Sequence, residues 1–197
     1  MRRWMRIATV VVVTALAGMP ALASAQSNFP SQGSSGGGNF PSQSGGGGNF
    51  PSQGQQAGRG GVFQSQVFGF NFEWGAGWEL VGEDSQPGFE AVAIANGTST
   101  IMVMGVDTSQ ATESPQQFVE AAASGLEIPD LRFAQVIFDE PDRAAAVYES
   151  QSTGAGIFLD AIQRDPATMI VVFWQFPLNQ FDSEIEQFDT VMAGLSF

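Results

Sequence analysis

This chain of 197 residues has no cysteine, no histidine and no lysine, and its seven basic residues are all arginine. Without cysteine there is no disulfide, no thiolate metal site and no catalytic thiol, and no sulfur to carry a lipid anchor. Without histidine the commonest general base and the commonest transition-metal ligand are missing, and a serine triad has no proton carrier. Without lysine no phosphate loop of the G-x-x-x-x-G-K-[ST] type exists, so Gly75-Ala76-Gly77 reads as a turn. After residue 25 no apolar run approaches the length of a bilayer span.

Three of the seven arginines lie at the very start. Arg2, Arg3 and Arg6 precede an apolar run from Ile7 to Ala17, Pro20 breaks it, and Ala23-Ser24-Ala25 fits the small-residue cleavage pattern. That is a secretory signal peptide, residues 1–25, with the mature chain starting at Gln26. The predicted location is secreted or periplasmic.

Residues 26–61 contain 12 glycines and a single charge, Arg59. Asn-Phe-Pro-Ser-Gln occurs three times, starting at Asn28, Asn39 and Asn49. So little apolar area does not offset the entropy of ordering the chain, which predicts a disordered tether. Three copies with one Phe each build no solenoid core. The repeat reads as a spacer enlarged by duplication, with three weak ligands acting by avidity as the alternative.

The remainder, residues 62–197, has the size of one domain. It holds 14 of the 17 Phe and three of the four Trp. All 20 acids lie there, against Arg132, Arg143 and Arg164, a net charge of −17. Such a surface repels nucleic acid and anionic lipid. It serves solubility, or alternatively docks a basic partner or divalent cations.

Phe68, Phe70, Phe72 and Trp74 alternate with polar residues or glycine as in a half-buried strand, and Trp78–Val81 continues as a second. Residues 90–95 and 100–106 flank Asn96-Gly97 as a hairpin. Ser114-Pro115-Gln116-Gln117 opens a helix with a cap, a proline at the first position and a capping-box Gln. Phe118, Val119 and Ala122 form its inner face and Gly125 ends it. Strands follow at 131–138, 144–151, 157–163 and 169–176, with turns at Gly154/Gly156 and Asp165-Pro166. The last strand is apolar on both faces except Gln175, which places it centrally. A closing helix over about 183–194 carries Ile185, Phe188, Met192 and Leu195 on one stripe. This pattern predicts an α+β fold, an antiparallel sheet flanked by helices.

Phe68-Gly69-Phe70-Asn71-Phe72 followed by Gly77-Trp78, the Ser-Pro-x-x-Phe start at Ser114, the Ala146-Val147-Tyr148 strand and the closing Leu195-Ser196-Phe197 resemble the PsbP-like domains. These take in the extrinsic photosystem II protein, the Ran-binding Mog family and secreted lipoproteins of the LpqN type. The resemblance spans most of residues 66–197. It implies an αβα sandwich and a non-catalytic accessory or binding role. This chain lacks the lipobox cysteine and any histidine, so no binding residue is carried over.

Candidate chemistry is sparse. Asp182, Glu184, Glu186 and Asp189 are the densest acids, but Ser183 and Glu186 read as a capping box on the closing helix. Asp139, Glu140 and Asp142 surround Pro141 in a turn, where acids are ordinary. No catalytic residue, metal ligand or cofactor is predicted. Trp74, Trp78, Tyr148 and Trp174 are candidates for a ligand groove, with plain core packing as the competing reading. The resulting expectation is a monomeric, non-catalytic accessory module that binds a protein or small molecule at the cell envelope, and no nucleic acid. A hydrolase using a carboxylate pair and a structural surface protein acting through its repeats are the alternatives.

Overall fold

The computed structural model describes residues 60–109 and 114–197. The expected signal peptide and the three repeats lie outside the described residues.

Seven strands form one antiparallel sheet. They are β3 (Glu79–Gln86), β4 (Phe89–Ala95), β5 (Thr100–Asp107), β6 (Arg132–Glu140), β7 (Arg143–Ser150), β8 (Ala155–Asp165) and β9 (Thr168–Pro177). Their spatial order is β3-β4-β5-β9-β8-β7-β6. The strand predicted to be central, β9, is fourth of seven. Residues Met169 to Trp174 are all buried, which explains the near-continuous apolar run. A second, three-stranded sheet pairs β1 (Gly61–Gln64) and β10 (Leu195–Ser196) with β2 (Asn71–Trp74).

Both faces of the large sheet are covered. On one face Met102, Met104, Leu159, Val171 and Phe173 pack against α1 (Pro115–Gly125) through Val119 and Ala123. On the other face Ile94, Ile101, Val172 and Trp174 pack against the small sheet and against α2 (Phe181–Met192) through Phe188 and Val191. Each face therefore carries one helix, and the small sheet is an addition that the sequence pattern did not announce.

The helix start at Ser114 forms as expected. Ser114 Oγ accepts from the Gln117 amide at 3.3 Å, and Gln117 Oε1 accepts from the Ser114 amide at 3.0 Å. Within α1 the fully buried residues are Pro115, Val119 and Ala123, with Phe118 and Ala122 packed at the margin.

Three expectations need correction. The run Phe68–Trp74 is not one strand: Gly69 takes φ 62°, which breaks the extended backbone, and β2 starts only at Asn71, although Phe68 stays in the same core as Phe70, Phe72 and Trp74. Phe68 covers Gly105 on β5, where any Cβ would strike its ring. Gly156 is not in a turn but within β8, opposite Phe176, whose ring occupies the space a side chain would need. Finally, α2 has no capping box. A 3-10 turn, Leu178–Gln180, leads directly into a helix that starts at Phe181, so Ser183 is already inside the first turn. Its hydroxyl donates back to the Gln180 carbonyl at 2.8 Å and accepts no amide.

Candidate functional site

The acids of α2 separate on this basis. Asp182, Glu186 and Asp189 are exposed, whereas Glu184 is buried. Its carboxylate accepts from Ser99 Oγ at 2.6 Å and Thr98 Oγ1 at 2.8 Å, with Asn96 Nδ2 at 3.5 Å. Glu184, read from the sequence as one of the acids facing the start of the closing helix, therefore also holds the β4–β5 loop onto α2, while its place in the first turn keeps it at the positive end of the helix dipole.

Two further carboxylates are buried, each with its own donors. Glu90 accepts from Ser65 Oγ and from the Val67 amide at 3.3 Å, which fixes the turn before β2. Asp160 accepts twice from Arg143, Nε at 3.1 Å and Nη2 at 2.7 Å. The Arg143 guanidinium lies over the Phe138 ring, 3.8 Å from its centroid. That bidentate bond raises the Arg143 pKa above its ordinary value against the opposing effect of partial burial. Each buried acid is thus occupied by structural donors on a different element. Among the described residues no group of three or more His, Cys, Asp or Glu is arranged to hold a metal ion.

A fourth polar cluster closes the β7–β8 turn. Asp130, held at φ 49°, accepts from Ser150 Oγ at 2.7 Å and from Ser152 Oγ at 2.6 Å. The hydroxyls of Ser152 and Ser150 keep its pKa below the usual carboxylate value. Only the order of Asp, Ser and Thr residues could have hinted at it, and that order is common in ordinary turns.

The four aromatic candidates do not meet. Trp74, Trp78 and Trp174 belong to the core beneath α2, and Tyr148 lies on the opposite face, beneath α1. Trp174, 1% exposed, stacks on Phe188 at 4.3 Å between centroids and 11° between planes. Its indole N–H has no hydrogen-bond partner among the described residues. The tryptophans form an aromatic core, with pairs of this kind worth about 0.5–1.5 kcal/mol each beyond area burial.

Tyr148 is different, because it borders a cavity. That cavity measures about 50 Å³, and Gln116, Val119 and Glu120 of α1 line it together with Val136, Asp139, Ala144 and Ala146. Burial pushes the Tyr148 phenol pKa up, and the negative charge of Glu120 adds to it. A larger concavity of about 350 Å³ lies on the other side of β6, between Gln135, Val147, Phe176, Leu178 and Phe181.

The two concavities share β6, and this strand was missed as a site. Its stretch from Phe133 to Phe138 is uncharged, and Phe133 (59%), Val136 (56%) and Ile137 (40%) are exposed. Register shifts between Phe133 and Gln135 and between Val136 and Phe138 interrupt its pairing with β7. The opposite edge, β3, presents Glu79, Glu83 and Asp84 and one exposed apolar residue, Val81. A sequence signal existed, since residues 133–138 contain no charge in a domain full of acids, but it equally suited an interior strand.

No helix among the described residues is long and apolar enough to cross a membrane. No protein-family profile matches the chain, and no curated protein matches it. Among solved structures it is similar to cyanobacterial PsbP (CyanoP) from Synechocystis sp. PCC 6803, known from a solution structure. The two are 12% identical, the match covers 76% of this chain and 97% of that one, and the TM-score is 0.50. At that identity the likeness concerns the backbone alone: this chain has the PsbP-like fold.

Proposed function

We propose that this protein is an exported, non-catalytic accessory domain that engages a partner at the cell envelope through the β6 edge of its large sheet. The observation that carries the reading is the contrast between the two edges. An edge strand offers unpaired N–H and C=O groups to any passing chain, and natural sheets blunt that hazard with charge. β3 carries Glu83 and Asp84 in mid-strand, whereas the exposed charges of β6, Arg132, Asp139 and Glu140, are confined to its ends. β6 instead exposes Phe133, Val136 and Ile137 beside a concavity on each face. Its two irregular pairings prevent indiscriminate strand addition while leaving the apolar side chains available.

The non-catalytic part of the reading rests on residue chemistry. With no histidine, cysteine or lysine, the carboxylates and Tyr148 are the remaining candidates for acid–base work, and the three buried carboxylates, Glu90, Asp160 and Glu184, are each committed to structural donors. The N-terminal pattern of residues 1–25 supports export, and the glycine-rich stretch gives the domain reach.

The test compares Phe133→Ser/Ile137→Ser with Val81→Ser in cell fractionation. Both variants should fold, since the replaced side chains are exposed. The β6 variant should be released from the envelope fraction and the β3 variant retained. Retention of both sinks the reading, and release only on deletion of residues 27–61 assigns the attachment to the repeats.

A further inference from the structure

Residues 28–53 carry a motif that neither the fold nor the β6 edge uses. Asn-Phe-Pro-Ser-Gln recurs unchanged at Asn28, Asn39 and Asn49, although the spacers between the copies differ in length and sequence. Phe29, Phe40 and Phe50 are the only aromatic residues from 26 to 61, and each is followed by proline. A residue before proline is held to extended backbone, so the motif loses little further freedom on binding. Extended proline-containing segments dock in grooves lined by aromatic side chains.

The concavity of about 350 Å³ beside β6 is a groove of that kind. Val147, Phe176, Leu178 and Phe181 give it apolar walls, and the exposed Gln135 and Asn179 offer amides to peptide groups. It lies on the face that carries the small sheet, since Val147, Phe176 and Phe181 share a core with Phe63, Phe72 and Trp74. The glycine-rich stretch joins the domain on this same face, through β1. From Phe181 in the wall of the concavity, α2 runs 12 residues to Met192, about 18 Å. The Gly194 carbonyl then accepts from the Glu73 amide at 3.0 Å, and Glu73 pairs with Val62 of β1. Two strand spacings bring the whole path to about 30 Å. The twelve positions from Phe50 to Val62 reach about 40 Å when extended, and Phe40 and Phe29 have more chain. Residues 26–61 hold no acid and one arginine, so the −17 charge of the domain does not repel them, whereas it holds a second copy off.

We infer that this concavity is occupied by the protein's own Asn-Phe-Pro-Ser-Gln repeats, one at a time. The phenylalanine ring lies against Phe176 and Phe181, and the flanking peptide groups meet Gln135 and Asn179. The short linker holds each copy near the site at an effective concentration of about 1 mM, so weak contacts suffice and a second copy replaces the first. This occupancy does not depend on what β6 engages, so its failure on the purified protein leaves envelope attachment through β6 standing.

The test compares backbone amide NMR signals of the purified full chain with those of Phe29→Ser/Phe40→Ser/Phe50→Ser. All three substitutions precede β1 and leave the packing of the domain untouched. The signals of Gln135, Val147, Leu178 and Asn179 should differ between the two chains, and those of Glu83 and Asp84 on β3 should coincide. The differences should persist through about tenfold dilution, because the repeat binds within its own chain. Free Asn-Phe-Pro-Ser-Gln peptide should move the same signals of the serine variant saturably at about 1 mM, and should bind the unmodified chain at least about twofold more weakly. An Asn-Ser-Pro-Ser-Gln peptide should move none of them. Coincident concavity signals in the two chains, equal differences on β3, or an equal response to the two peptides would each overturn the assignment. Differences that vanish on dilution would overturn it in favour of a repeat from a second copy.

Discussion

Ser99 and Glu184, 85 residues apart, are joined by a 2.6 Å hydrogen bond from hydroxyl to carboxylate at a buried point between the β4–β5 loop and α2. Thr98 Oγ1 adds a second donor to the other carboxylate oxygen at 2.8 Å. Glu184→Ala would leave the Ser99 hydroxyl, 2% exposed, without its acceptor. An unsatisfied buried donor costs about 1–3 kcal/mol, and denaturant unfolding should register a loss in that range. Glu184→Gln keeps an acceptor and should lose less. Equal losses in the two variants would mean that the carboxylate acts through its charge at the helix start and not through these bonds.

Tyr148 supplies a pH readout. Its phenol pKa is raised, first by burial and then by Glu120. A raised folded-state value means that the fold favours the neutral phenol. The associated stability is fully present below the unfolded value of about 10 and is lost as pH rises through the higher folded value. Because this is the only tyrosine, absorbance titration of the phenolate reports it alone. The midpoint should lie above about 10 and move down in Glu120→Gln, since the Glu120 charge is the second cause of the shift. A midpoint at or below the ordinary value contradicts the buried setting.

Charge governs the response to salt. Of the three arginines in residues 62–197, Arg143 is committed to Asp160, the salt bridge found among the described residues. Arg164 donates to the Phe68 carbonyl instead of to an acid. Most carboxylates thus have no cationic partner, and folding gathers like charge. Added NaCl shortens the Debye length from about 10 Å at 0.1 M to about 3 Å at 1 M, so the melting midpoint should rise and then level off. A midpoint that stays flat or falls would show that the acids are locally compensated, for example by a bound cation.

The positions of β4 to β9, the hairpin at Asn96-Gly97, the Ser114 helix start and the central place of β9 were legible because each depends on local pattern: alternation, turn residues, caps and doubly apolar runs. What stayed hidden depends on partners distant in sequence. Glu184 looks like a helix-start acid until Ser99 and Thr98 arrive from 85 and 86 residues away. Gly105 looks like a weak point in a strand until Phe68 covers it. The aromatic candidates share a composition but not a face, because nothing local says which side of the sheet Tyr148 and Trp174 occupy relative to each other. β6 was legible as a strand and illegible as an edge, since strand order is set by long-range pairing.

The most direct test of the central claim is site-specific photo-crosslinking in intact producing cells. A photoreactive residue at Ile137 on β6 is compared with one at Val81 on β3, both exposed and on opposite edges of the same sheet. The account predicts a discrete cross-linked partner from position 137 and none from position 81. Adducts of equal yield from both positions, or from position 81 alone, would contradict it.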